Sequence, residues 1–172
     1  MSQASTISAW SRDLGFAVVA IVAVATASAI GQLATYPNLA PWYAGLTKPS
    51  FNPPNWVFAP VWTMLYVMMA IAVWRILRSL DASAARRLAL TLFFIQLVLN
   101  AAWSWMFFGA NNPLLGVINI IPQFLVILAT VVGFYRLDRM AAWCLVPLAV
   151  WVAFAGVSDF IGSPVPVVMH EF

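Results

Sequence analysis

Five stretches of this chain, residues 14–34, 57–74, 88–110, 114–135 and 140–158, contain no Asp, Glu, Lys or Arg. Each is close to the ~20 residues that an α-helix needs to cross ~30 Å of hydrocarbon. Backbone groups in lipid must bond within their own segment, which leaves helices as the simplest spanning elements. Only 8% of the 172 residues are charged, against roughly a quarter in a soluble domain. The sequence therefore predicts an all-α membrane protein, with spans at about 14–34, 57–77, 88–110, 114–135 and 140–161. The connections after the second, third and fourth spans are too short to fold separately, so residues 1–172 read as a single five-helix domain.

The net charge of +3 does not point to nucleic acid, because the eight basic residues are dispersed around the helix ends and form no face or stripe. They report topology instead. With five spans, Arg12, Arg75, Arg78, Arg86, Arg87, Arg136 and Arg139 fall on one side and only Lys48 on the other. The positive-inside rule then puts the N-terminus in the cytoplasm and the first loop and C-terminal tail outside, as in a bacterial membrane. Arg12, the apolar run and Ala27-Ser28-Ala29 also fit a cleavable signal peptide. That run continues to Ala34, longer than a signal core, which suits a spanning helix better.

Cysteine and histidine offer little chemistry. Cys144 is alone in the fifth span and His170 alone in the tail, too little material for a disulfide framework, a zinc site or a nucleophile triad. His170 is read either as a solvated tail residue or as a haem or metal ligand.

Within the spans, punctuation and small residues set the packing. Ala23, Ala27 and Gly31 recur every four residues in the first span, a stripe that lets two backbones approach, within one bundle or across a dimer. The longest loop, residues 35–55, carries Pro37, Pro41, Pro49, Pro53 and Pro54. Prolines stiffen such a loop, which can then act as a lid. Asn55 is the expected N-cap of the second span, with Pro60 near its first turn. Asn111-Asn112-Pro113 is a tight turn, and Pro122 and Pro147 are expected to kink the fourth and fifth spans.

Nine tryptophans require an explanation. Trp10, Trp42, Trp56, Trp74 and Trp143 lie near span ends, where an interfacial belt accounts for them; Phe58 is placed there too. Trp62, Trp103, Trp105 and Trp151 are deeper. An indole N–H in hydrocarbon needs a partner on another helix or in a ligand. Helical spacing puts Trp62 and Tyr66 on one face of the second span and Gln96, Asn100, Trp103 and Phe107 on one face of the third. Trp151 and Ser158 share a face of the fifth. Asn100 has two readings, an interhelical hydrogen bond with Gln96, Asn119 or Gln123, or a ligand contact. Asp159, near the end of a span, is a functional candidate by default, while solvation at the outer surface also accounts for it.

Read in order, Trp42-Tyr43, Lys48-Pro49, the run from Phe51 to Phe58, Val61-Trp62, Leu65-Tyr66, Gln96, Asn100 to Ser104, Phe107 to Gly109, Pro147, Trp151 and Ala153 to Ala155 resemble the tryptophan-rich sensory protein (TspO/MBR) family. It is also called the translocator protein or peripheral benzodiazepine receptor family. The resemblance implies a five-helix fold, often dimeric, whose first loop closes over a pocket. That pocket takes porphyrins, haem-related tetrapyrroles, cholesterol-like lipids and benzodiazepine-type ligands. Trp62 and Asn100 match its ligand hydrogen-bonding positions, and Tyr43, Pro49, Tyr66, Trp103 and Trp151 match its aromatic lining. Phe107 and Asp159 complete the candidate ligand-binding set; no catalytic or metal-binding residue is assigned.

The chain also departs from the family pattern. Leu148 stands where the family usually has Tyr, and Ser158-Asp159 where it has a Leu-Asn pair. The sterol-recognition pattern cannot be built around Leu148, and Asp159 would repel a propionate unless protonated or paired.

The leading expectation is a membrane receptor or sensor for a porphyrin or another flat apolar molecule, requiring no cofactor and regulating tetrapyrrole or stress responses. Membrane lipid and a second copy of the chain are the expected partners, and nucleic acid is not. Light- or oxygen-dependent porphyrin breakdown and transport of tetrapyrroles or lipids are the alternatives. Transport ranks lower because no paired half-helices or inverted repeat are present.

Overall fold

A computed structural model describes residues 3–40, 42–46, 53–79 and 82–162, with side chains placed for residues 10–158 of these. Among the described residues there are five long helices and no strand: α1 (Gln3–Leu39), α2 (Asn55–Arg78), α3 (Ala84–Ser104), α4 (Pro113–Leu137) and α5 (Arg139–Gly162). Each is long and apolar enough to cross a membrane, and the protein is an integral membrane protein. Around the bundle the order is α1, α2, α5, α4, α3 and back to α1.

Two boundaries differ from expectation for local reasons. α1 runs to Leu39 and takes residues 35–39 from the expected loop. Thr35 Oγ1 donates to the carbonyl of Gly31 at 3.0 Å and Asn38 Nδ2 to that of Ala34 at 2.9 Å, so both polar side chains on either side of Pro37 are satisfied one turn back on the helix itself. Residue 41 and residues 47–52, including Lys48 and Pro49, lie outside the described residues, as does His170. Asn55 is not an N-cap: Pro54 occupies that position, its extended φ of −56° and ψ of 146° leading straight into α2. Pro60, Pro122 and Pro147 all lie inside helices that continue through them.

The connections at the other ends are built from side-chain caps. Arg86 donates from Nε to the Ile76 carbonyl at 3.0 Å and from Nη2 to the Leu77 carbonyl at 2.8 Å, closing the C-terminus of α2. Ser83 Oγ accepts from the Arg86 N–H at 3.1 Å and caps α3. Between α4 and α5, Asp138 accepts from the N–H groups of Met140 and Ala141, and Arg75 pairs with it at 2.8 Å across the bundle. Asn111, with φ 49°, makes the left-handed step that asparagine tolerates. Asn112 then caps α4 by accepting from the Leu115 N–H at 3.3 Å, with Pro113 at the first helical position.

The interior is divided lengthwise. Toward the end where α2 finishes, Met69, Val73, Ile76, Phe93, Ile127, Phe134 and Leu145 are fully buried, and Phe93 stacks on Phe134 at 5.9 Å. Lipid is as apolar as these side chains, so close packing, not exclusion from water, holds this half together. On α1, Ala27 and Gly31 are buried and Ala23 is half-buried against the core, and a Cβ on Gly31 would stand 3.0 Å from Ser104 Oγ. The small-residue stripe thus packs within the chain. The opposite half, toward the N-terminus of α2, is hollow, and the hollow continues between α1 and α2 as far as Ala17 and Trp74.

Candidate functional site

Local geometry at the end of α3 turns two neighbouring rings inward. Residues Trp105–Gly109 form a π-helical turn, with the Ala110 N–H bonded to the Trp105 carbonyl at 2.8 Å and the Asn112 N–H to the Phe107 carbonyl at 3.1 Å. Such widened turns are frequent at functional sites. Phe107 and Phe108 are both buried as a result. Gly116 on α4 makes room: a Cβ there would lie 2.6 Å from the Phe107 ring.

These rings belong to the wall of a cavity of about 940 Å³, at the upper end of the range for small-molecule sites. Tyr43, Trp62, Tyr66, Asn100, Trp103, Phe107 and Trp151 all line it, so seven of the nine sequence-predicted residues converge. Pro49 lies outside the described residues, and the Asp159 side chain does too. Trp103 stacks on Phe107 at 4.9 Å and 17°, Trp62 lies against Tyr66 at 5.5 Å, and Trp151 meets Phe58 edge-on at 5.7 Å. At one end the residues following α1 close onto the π turn, Trp42 packing on Phe107 at 5.3 Å and Tyr43 on Phe108 at 5.5 Å.

Polar groups are few and specifically arranged. The Tyr66 hydroxyl donates to Asn100 Oδ1 at 3.0 Å, joining α2 to α3 across the interior. Ser28 of α1 is within hydrogen-bonding reach of that hydroxyl and itself accepts from Gln32 Nε2 at 2.8 Å. Three lining groups are buried without a partner: Asn100 Nδ2, Trp103 Nε1 and Trp74 Nε1. All three are N–H donors. Among the described residues no charged side chain lines the cavity. The arrangement therefore complements a flat, largely apolar molecule carrying oxygen or nitrogen acceptors.

Several sequence-based placements change. Asn100 pairs with Tyr66 and not with Gln96, Asn119 or Gln123; Gln96 and Asn119 instead direct their N–H groups to the sulfurs of Met69 and Met106, at 3.7 and 3.5 Å. Trp105, half exposed outside the cavity, takes the first of its two expected readings, a partner on another helix: its Nε1 donates to the Ile30 carbonyl of α1 at 3.1 Å. Phe58 and Trp74, placed at the interface from sequence, line the cavity, whereas Trp10, Trp56 and Trp143 are exposed as a belt requires. Trp42 belongs to the closing aromatic cluster. Sequence reasoning missed Phe108, Phe154, Ser28 and Gln123 as lining residues. A heptad-like step from Trp151 to Phe154 and Ser158 carried the signal for one of them.

The TspO/MBR family model matches residues 17–160 of the chain. Among similar proteins is the tryptophan-rich protein TspO of Chlorobaculum tepidum, 41% identical over 72% of this chain and 79% of the relative. That of Archaeoglobus fulgidus is 37% identical over 83% and 92%. The translocator protein of Homo sapiens is 37% identical over 66% and 68%.

Proposed function

Because the chain belongs to the TspO/MBR family, we propose that it is a membrane receptor that binds a porphyrin or related tetrapyrrole in the cavity, as a sensor for tetrapyrrole or stress responses. The observation that carries this reading is the combination of aromatic walls with three unpartnered donors. Trp62, Trp103 and Trp151 supply faces on which a flat ring stacks, and Asn100 Nδ2 and Trp103 Nε1 donate to its acceptors. Benzodiazepine-type molecules, flat and rich in acceptors, suit the same walls. Stacking on rigid rings immobilises little, so burial converts efficiently into affinity.

In this reading the ends of the bundle are polarised by charge. The face carrying Arg75, Arg78, Arg86, Arg87, Arg136 and Arg139 is cytoplasmic, and the cavity's aromatic end, with Trp42 and Tyr43, faces outward. Titrating protoporphyrin into the purified protein and following tryptophan fluorescence tests the proposal. Saturable quenching that weakens in the Trp62→Phe/Asn100→Ala double variant is expected; absence of saturation, or an unchanged Kd in that variant, overturns it.

A further inference from the structure

α1 and α2 enclose a second cleft at the boundary where α2 ends. It measures about 410 Å³ and is lined by Trp10, Arg12, Asp13, Phe16 and Arg78. The charge-free stretches of both helices finish at this level, immediately after Asp13 in one direction and before Arg75 in the other. The cleft therefore sits at headgroup depth, away from the ligand cavity's aromatic end.

Its wall is held in place by two contacts. Arg78 lies over the Trp74 ring at 4.6 Å and forms an ion pair, without a hydrogen bond, with the buried Asp13 Oδ1, its Nε 3.5 Å away. That pair leaves the two Nη groups of the guanidinium to donate. Arg12, exposed on the facing turn of α1, forms no salt bridge with a described residue. Two guanidiniums against one carboxylate leave the cleft with a single positive charge.

We infer that this cleft binds the phosphate of an anionic phospholipid. Guanidinium groups match phosphate oxygens with paired donors, and basic pockets between spanning helices are a recurrent headgroup site. Trp10 and Phe16 supply apolar surface for the glycerol and upper acyl chain. A soluble phosphate gains nothing from those rings, and this distinguishes a lipid from a free anion. The lipid would bridge α1 and α2, the two helices that also border the ligand cavity, and so bias their spacing.

The test uses the purified full chain in mixed micelles, with bound lipid counted by native mass spectrometry. Phosphatidylglycerol is expected to be retained in preference to phosphatidylcholine, at one molecule per chain. Arg12→Gln and Arg78→Gln should each weaken retention about fivefold. Arg136→Gln, on the same membrane face but outside the cleft, should leave it unchanged. Arg12→Gln keeps the Asp13–Arg78 pair, so the test stands even if Arg78→Gln disturbs packing. Equal retention of the two lipids, equal weakening by Arg136→Gln, or displacement by millimolar inorganic phosphate each overturns the inference.

Discussion

Trp103→Phe separates stability from binding at a single side chain. In the native protein the indole stacks on Phe107 at 4.9 Å, and its Nε1 is buried without a partner. Leaving a donor unmade in such a place costs about 1–3 kcal/mol. A phenyl ring sheds that cost and keeps a smaller stack, giving up part of an aromatic pair worth about 0.5–1.5 kcal/mol. The two effects nearly cancel, so the unliganded variant should unfold within about 1 kcal/mol of the native protein, on the more stable side. Ligand binding moves the other way. A hydrogen bond from Nε1 to a ligand acceptor contributes about 0.5–1.5 kcal/mol, and its loss raises the protoporphyrin Kd about two- to twelvefold. Thermal unfolding in detergent reads the first quantity and fluorescence titration the second. A variant destabilised by more than about 2 kcal/mol with an unchanged Kd would refute the reasoning, since it would mean that the N–H is satisfied without ligand.

Three other perturbations follow from the same geometry. Gly116→Ala drives a methyl into the Phe107 ring, 2.6 Å away; overpacking of this kind costs about 1–3 kcal/mol, and protoporphyrin affinity should fall with it as the Trp103 stack shifts. Tyr66→Phe leaves Asn100 Oδ1 without its 3.0 Å donor and should destabilise by about 0.6–2 kcal/mol in a thermal melt, with no global change in helicity by circular dichroism. Burial raises the Asp138 pKa, but the Ala141 N–H and Arg75 outweigh it and hold the carboxyl below its ordinary value. A depressed folded-state pKa stabilises above the unfolded carboxylate pKa, and that stability is lost as pH falls through the folded one. Unfolding temperatures should therefore drop on acidification below the usual carboxylate range, and Asp138→Asn, which keeps an acceptor for α5, should remove that component of the pH dependence.

What the sequence revealed depended on whether the signal was local. The five charge-free stretches located the helices because lipid forbids any other way of satisfying the backbone, and the three- and four-residue spacing of Asn100, Trp103 and Phe107 placed them on one stripe. The partner of Asn100 was not legible, because choosing Tyr66 over Asn119 or Gln123 depends on the order of helices around the bundle, which no local pattern encodes. Trp105 found the partner on another helix that a deep indole needs, the Ile30 carbonyl of α1, but Phe108 was missed for a different reason. The π turn shifts the helical phase, so a 3.6-residue wheel turns Phe108 off the stripe of Asn100, Trp103 and Phe107. Trp74 was assigned to the interface from its distance along the span, yet the cavity extends far enough between α1 and α2 for it to become lining. The extension of α1 through Pro37, where Thr35 and Asn38 bond carbonyls one turn back, was not legible because a proline run marks a loop as readily as a helix that continues through it.

The claim that this cavity is a tetrapyrrole site is tested most directly by a structure of the protein with protoporphyrin bound. The account predicts the ring lying against Trp62, Trp103 and Trp151, with a porphyrin acceptor within hydrogen-bonding distance of Asn100 Nδ2 and of Trp103 Nε1. A porphyrin bound on the lipid-facing surface, or in the cavity with both of those donors still unpartnered, would contradict it.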